Sequence, residues 1–256
     1  MSLSPTWLVG HRGARGEAPE NTLASFQIAV EAGVPEIELD VRLSSDGHLI
    51  VLHDREVDRT TWSRGMARNY TLAELNLFDA RRNTPGWHMA TSIPSLAEVI
   101  QCCPPTMRFQ FEVKTDRREV LHQKALKLKQ LIEEMQLHDR IIVTSSDTDF
   151  LRMIATMSEQ IPRGYVCQRR YLQPTRRAQS LGCEWLILHY SLVNKALMQR
   201  ARRKGFKVSV WTVNDLNEAE RLVALGVDSI ITDFPSSFAR HFEKRQARLM
   251  ATQGTP

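Results

Sequence analysis

Two histidines, three carboxylates, an arginine and a lysine stand at the ends of short apolar runs in this sequence, where a strand hands over to a loop. His11-Arg12 follows "WLVG", and His53-Asp54 closes "LIVLHD". Glu38 and Asp40 lie two positions apart in "EIELDV", hence on one face of a strand, as do Glu112 and Lys114 in "FEVK". Three acidic groups gathered at one place repel one another unless a cation lies between them. All-oxygen ligation favours a hard divalent ion, Mg²⁺ or Ca²⁺, over zinc. Glu38, Asp40 and Glu112 are therefore the candidate ligands of one such ion. His11 and His53 suit a general acid and a general base. Arg12 and Lys114 suit a bound phosphate and the charge that grows on it in a transition state. The combination points to phosphoryl chemistry.

Each signal has a blander reading. A Glu-x-Asp pair on a strand is more often an exposed face, but here Ile37 and Leu39 alternate with the acids and neighbouring runs are fully apolar. A histidine after a strand usually hydrogen-bonds its own loop, the reading for His48, His88, His122, His138 and His241; His189 ends another apolar run and is a weaker pocket candidate. Trp211, near the end of "KVSVWTVN", reads as core or as an apolar wall for a substrate. Their common position at strand ends carries more weight than any single residue.

The elements that must hold these residues recur with a steady rhythm. Apolar runs begin at residues 7, 36, 109, 141, 164, 184, 207 and 228, with helical patterns between them. "TLASFQIAVEAG" places Leu23, Phe26 and Val30 on one stripe and stops at Gly33; Asp215 with Glu218 predicts a capping box for a helix ending at Gly226. Ser95 with Glu98 opens another helix, and "REVLHQKALKLKQLIEEMQL" is a long one. Apolar strands alternating with amphipathic helices call for a parallel sheet covered on both faces, and eight such units match a (β/α)8 TIM barrel. An open doubly wound sheet is the structural alternative. Residues 1–256 read as a single barrel domain with a small inserted segment, about 54–94, after the second strand and its hairpin. Asp46-Gly47 marks the hairpin, and Thr71 with Glu74 starts a short helix inside the segment.

With 256 residues and 42% hydrophobic content the chain is expected to fold, and its net charge of +5 lies in scattered pairs without interleaved aromatics. That pattern argues against a nucleic-acid partner. Four cysteines without a CxxC spacing fit a reducing compartment. The N-terminus lacks a basic, apolar leader pattern and no run suffices for a membrane span, so a cytoplasmic location without stable membrane insertion is expected.

Taken together, "HRG" followed by "PENT", then "EIELDV", "DG", "VLHD", "DRTT", "FEVK" and "WTVN" resemble the glycerophosphodiester phosphodiesterase family, in order and over essentially the whole chain. The resemblance implies hydrolysis of a glycerophosphodiester to glycerol 3-phosphate and an alcohol. Carried over by position, the family's histidine pair falls on His11 and His53, its metal carboxylates on Glu38, Asp40 and Glu112, and its phosphate-contacting residues on Arg12 and Lys114. Two departures stand out: Val34-Pro35-Glu36 as the lead-in to the second strand, and "MARNY" where many relatives carry an acidic residue. The second bears on the preferred alcohol. A lysophospholipase D acting on lipid-tailed diesters would use the same residues, and a non-catalytic phosphodiester-binding barrel is a third reading. A long apolar groove in the insertion would favour lipid; a closed polar lid would favour water-soluble diesters. In the first loop, Arg15 and Glu17 read as solvent-facing, Asn21 or Thr22 as a helix cap, and Glu20 and Asn21 as supports for the metal ligands.

Overall fold

The computed structural model describes residues 7–253; residues 1–6, within the stretch read above as lacking a leader, lie outside them. The chain opens with β1 (Leu8–His11), α1 (Leu23–Glu31), β2 (Glu36–Leu43) and a short β3 (Leu49–Val51), followed by α2 (Leu72–Leu75) and α3 (Leu96–Cys102). Alternation then resumes with β4 (Arg108–Val113), α4 (Arg118–Glu134), β5 (Ile141–Ser145), α5 (Thr148–Met157), β6 (Arg163–Cys167) and α6 (Pro174–Ser180). It continues through β7 (Trp185–His189), α7 (Lys195–Arg203), β8 (Lys207–Trp211), α8 (Leu216–Leu225), β9 (Ser229–Thr232) and α9 (Pro235–Gln253).

All strands except β3 pair in parallel, and β1 bonds to both β9 and β2, so the sheet closes without an edge. This is a (β/α)8 barrel, and closure rules out the open sheet. Each of the eight apolar runs became a barrel strand. β3 instead folds back antiparallel on β2, pairing Leu43 with Leu49 around the predicted Asp46-Gly47 turn, where Gly47 takes φ +80°. A left-handed residue at a tight hairpin favours glycine.

Alternation along the strands separates two cores. Ile37, Leu39 and Val41 join the large cluster between sheet and helices, whereas Val9, Val166, Ile187 and Ile231 form a separate cluster. Their period of two places this second group on the opposite face, inside the barrel. Residues 54–94 supply a third cluster, in which Val57, Ala67, Leu75, Ala80 and Ile93 bury against Ile50 and Leu52. Among the described residues no helix is long and apolar enough to cross a membrane.

Two helix readings need correction. In α1 the buried positions are Ser25, Phe26 and Ala29, while Leu23 is exposed and Val30 only partly buried. The N-cap at Thr22 turns the helix so that Ser25 faces the preceding loop, carrying Leu23 outward. In α8, Asp215 accepts from Glu218 N at 2.8 Å, but the Glu218 carboxylate pairs with Arg221 instead of closing the box. The boxes at Thr71/Glu74 and Ser95/Glu98 are complete.

Candidate active site

Register between neighbouring strands assembles the site. His11 on β1 lies beside Glu38 on β2, and Asp40, one pleat further, lies beside Glu112 on β4. β1 then ends in a tight turn, with Arg12 at φ +50° and Gly13 at φ +82°. Arg12 is a non-glycine residue in the left-handed region, a conformation that surrounding bonds must hold. Its carbonyl accepts from Asn21 N at 3.0 Å and Ser25 Oγ at 2.8 Å, and its amide donates to Glu38 Oε2 at 3.1 Å. A Cβ on Gly13 would come within 2.6 Å of Ser25, so the turn and α1 fit only with glycine between them.

The Arg12 guanidinium donates to Glu20 Oε1 at 2.7 Å and pairs with Asp40 at 3.1 Å. Glu20, nearly fully buried, also receives both Arg59 terminal nitrogens at 2.8 Å and Asn83 at 3.0 Å. Burial disfavours the Glu20 anion, but the hydrogen bonds from Arg59 and the charge of Arg12 overcome it, drawing its pKa down to about 2. Asn21 donates to Asp40 Oδ2 at 2.7 Å. Glu20 thus positions a basic residue, and Asn21 a carboxylate, while Thr22 is the helix cap.

Carboxylate oxygens of Glu38, Asp40 and Glu112 lie within 4.8 Å of one another. The Lys114 ammonium stands between two of them, 2.7 Å from Asp40 and 2.8 Å from Glu112. Burial disfavours ionised Asp40, yet Lys114 and Arg12 hold its pKa below the ordinary carboxylate range. Glu38 behaves oppositely: burial, then repulsion from Asp40 and Glu112, raises its pKa well above normal. The trio therefore carries more negative charge than its two basic neighbours stabilise, which is what a hard cation would relieve.

The two imidazoles are built alike. His11 Nδ1 lies 2.5 Å from Asp233 Oδ1, and Asp233 is itself held by Asn214 Nδ2 at 2.8 Å. His53 Nδ1 lies 2.7 Å from Asp54 Oδ1. A carboxylate on Nδ1 fixes the proton there and leaves Nε2 for proton exchange. Burial is the largest cause lowering both histidine pKa values; Asp233 partly opposes it at His11 and Asp40 at His53.

Residues 11–237 match the Glycerophosphoryl diester phosphodiesterase family. The chain belongs to this family of phosphodiester hydrolases. A glycerophosphodiester phosphodiesterase of Caldanaerobacter subterraneus subsp. tengcongensis is 33% identical over 233 residues, 91% of this chain and 96% of that one. The solved phosphodiesterase of Oleispira antarctica, in complex with the product sn-glycerol-3-phosphate, is 28% identical with a TM-score of 0.83, covering 92% of this chain and 95% of its own. The solved glycerophosphodiester phosphodiesterase of Thermotoga maritima superposes with a TM-score of 0.74 at 25% identity, covering 93% and 99%.

Within this family barrel, a cleft opens beside His11, Arg12, Glu38 and Glu112, with Ile187 and Trp211 as apolar wall. Trp211 thus forms part of the apolar side of this cleft. His189 does not line this cleft: it meets Trp211 edge-on at 5.4 Å and accepts locally from Ser191. Arg15 is exposed, as read from the sequence, and from that position it also lines the cleft and pairs with Glu20 at 3.3 Å and Asp233 at 3.6 Å. Glu17 is half-buried rather than free in solvent and accepts from Ser236 N, at the start of α9, at 3.0 Å. Asp233 and Arg59 were missed. Asp233 ends the last run, "DSIITD", at the same strand-end address as the other candidates, so that signal was available. Arg59 lies in the insertion, where no periodicity points inward.

Proposed function

We propose that this chain hydrolyses glycerophosphodiesters to glycerol 3-phosphate and an alcohol, using His11 and His53 as its proton-transfer pair. The observation that carries the reading is the pair of carboxylate-oriented imidazoles set around one cluster of Glu38, Asp40, Glu112, Arg12 and Lys114. Both imidazoles feel the charge of Asp40. Glu38, Asp40 and Glu112 would hold one divalent cation, Mg²⁺ or Ca²⁺, which would supply Lewis-acid neutralisation of a phosphate oxygen. Arg12 and Lys114 bring fixed positive charge to the same phosphate, stabilising its transition state. One histidine takes the proton of the attacking oxygen, and the other gives a proton to the departing alkoxide. Trp211 packs the glycerol carbons, and the barrel acts as one unit with its insertion.

A water-soluble diester fits better than a lipid-tailed one. The insertion's Trp62 and Met89 are exposed and line neither the site cleft nor the cleft beside β2, whose lining includes four arginines and an aspartate. Four free cysteines support a reducing, cytoplasmic setting. The test is release of glycerol 3-phosphate from glycerophosphocholine, glycerophosphoethanolamine and a lysophospholipid, after chelation and with Mg²⁺ or Ca²⁺ restored. The expected result is chelation-sensitive release from the two soluble diesters. Full activity under complete chelation refutes the cation; exclusive use of the lysophospholipid refutes the substrate class.

A further inference from the structure

A second cleft lies between the outer end of β2, the insertion and the start of α4. Its walls carry Arg42, Arg55, Arg68 and Arg117 with Asp116 as the acidic counterpart. Among the described residues none of these four guanidinium groups forms an ion pair. Asp116 is already engaged, 3.1 Å from the Lys124 ammonium, which is buried beneath the same loop and also donates to Lys114 O at 2.9 Å. Burial, together with the charges of Arg42 and Arg55, draws the Lys124 pKa down to about 8. Asp116 is the one carboxylate in the lining, beside four guanidinium groups, and Asp40 and Asp54 also act on Arg42, so the cleft carries an excess of positive charge. Arg42 is buried and uses Nε and Nη2 on the His53 carbonyl, at 2.9 and 2.6 Å, which fixes this cleft next to the catalytic imidazole.

We propose that this cleft is the subsite for the departing alcohol, and that it selects alcohols carrying their own phosphate group. Guanidinium forks match phosphate oxygens bidentately, and several are needed to neutralise a dianion. Arg42 follows Asp40 by two residues on β2, a step of roughly 6.6 Å along a strand. A three-carbon alcohol bridges such a gap between two phosphoryl groups. Met66-Ala67-Arg68, in the segment where the sequence departs from an acidic residue, forms one wall and adds a positive group there. The two clefts then divide the substrate: the apolar wall of Trp211 and Ile187 takes the glycerol phosphate half, and the arginines take the far end of the alcohol.

This inference rests on the phosphodiesterase reading, and its test separates the two. Glycerophosphoglycerol and the same diester with a terminal phosphate on the second glycerol are compared as substrates by kcat/KM. The wild-type chain is expected to prefer the phosphorylated diester by at least about tenfold, in line with charge-assisted hydrogen bonds to more than one arginine. In the double variant Arg68→Met/Arg117→Met that preference falls to about twofold or less, the loss in kcat/KM falling mainly on the phosphorylated diester. No preference in the wild type, or the same preference in the variant, overturns the subsite while leaving the phosphodiesterase reading intact. Failure to hydrolyse either diester while glycerophosphocholine is cleaved overturns the subsite alone; failure on all three overturns both. If inorganic phosphate changes the rate on glycerophosphoglycerol in the wild type but not in the variant, the cleft takes a free anion as effector, and the substrate assignment is wrong.

Discussion

Asp233 and Asp54 decide what the two histidines can do. With a carboxylate on Nδ1, each ring presents Nε2 in a defined tautomer, and a ring without that partner spends part of its time in the unproductive form. Asp233→Asn should therefore lower kcat on glycerophosphocholine by a factor on the order of 10² with an unchanged circular dichroism spectrum. His11→Ala and His53→Ala should each cost about 10² to 10⁴ in kcat while the thermal transition stays close to wild type. Activity retained by either alanine variant would remove that histidine from the chemistry. Glu20 works through charge balance. Its pKa falls from the ordinary 4.5 to about 2 on folding, so its ionised form stabilises the native state. At about 1.4 kcal/mol per unit this is worth ~3 kcal/mol, present above pH 4.5 and lost as pH falls toward 2. Denaturant titrations should show Glu20→Gln destabilised at pH 7, with the gap to wild type closing below pH 4.5.

At the scale of elements, the turn after β1 joins catalysis to packing. Gly13 sits at φ +82° with Ser25 of α1 too near for any Cβ, while the preceding carbonyl is clamped by α1 and its cap region. Gly13→Ala should lower stability by about 2 kcal/mol or more and displace Arg12, so that Tm and kcat fall together. The strands were legible because buried parallel strands read as unbroken apolar runs, and the charged residues at the ends of β1, β2 and β4 lie close together in the fold. Asp233 shared that signal, closing the last apolar run, without being singled out as a candidate. Arg59 and Asn83 were illegible for a different reason: they act from irregular backbone, where reach to Glu20 depends on a tertiary path that no sequence period encodes. The face of α1 was misjudged by the same logic, since Ser25 is buried to hold the Arg12 carbonyl rather than to fill the core.

Across the whole molecule, the strain at the carboxylate trio predicts a cation effect visible without turnover. A divalent ion bound to the native state alone adds about 2.7 kcal/mol at a hundredfold excess over Kd, so Mg²⁺ or Ca²⁺ should raise Tm in the wild type. Glu38→Gln/Glu112→Gln should show no such rise, and an equal rise in both proteins would place the ion elsewhere. The insertion has its own small apolar cluster, and Arg59 reaches from it to clasp Glu20 across the barrel mouth. A segment with a separate core can open on its own, at a free-energy cost below that of global unfolding. Each such opening withdraws Arg59, loosens Glu20 and frees Arg12 while all eight barrel strands stay paired. Heating or limited proteolysis should therefore silence the enzyme before it melts, with amides of residues 57–80 exchanging with solvent earlier than those of the barrel.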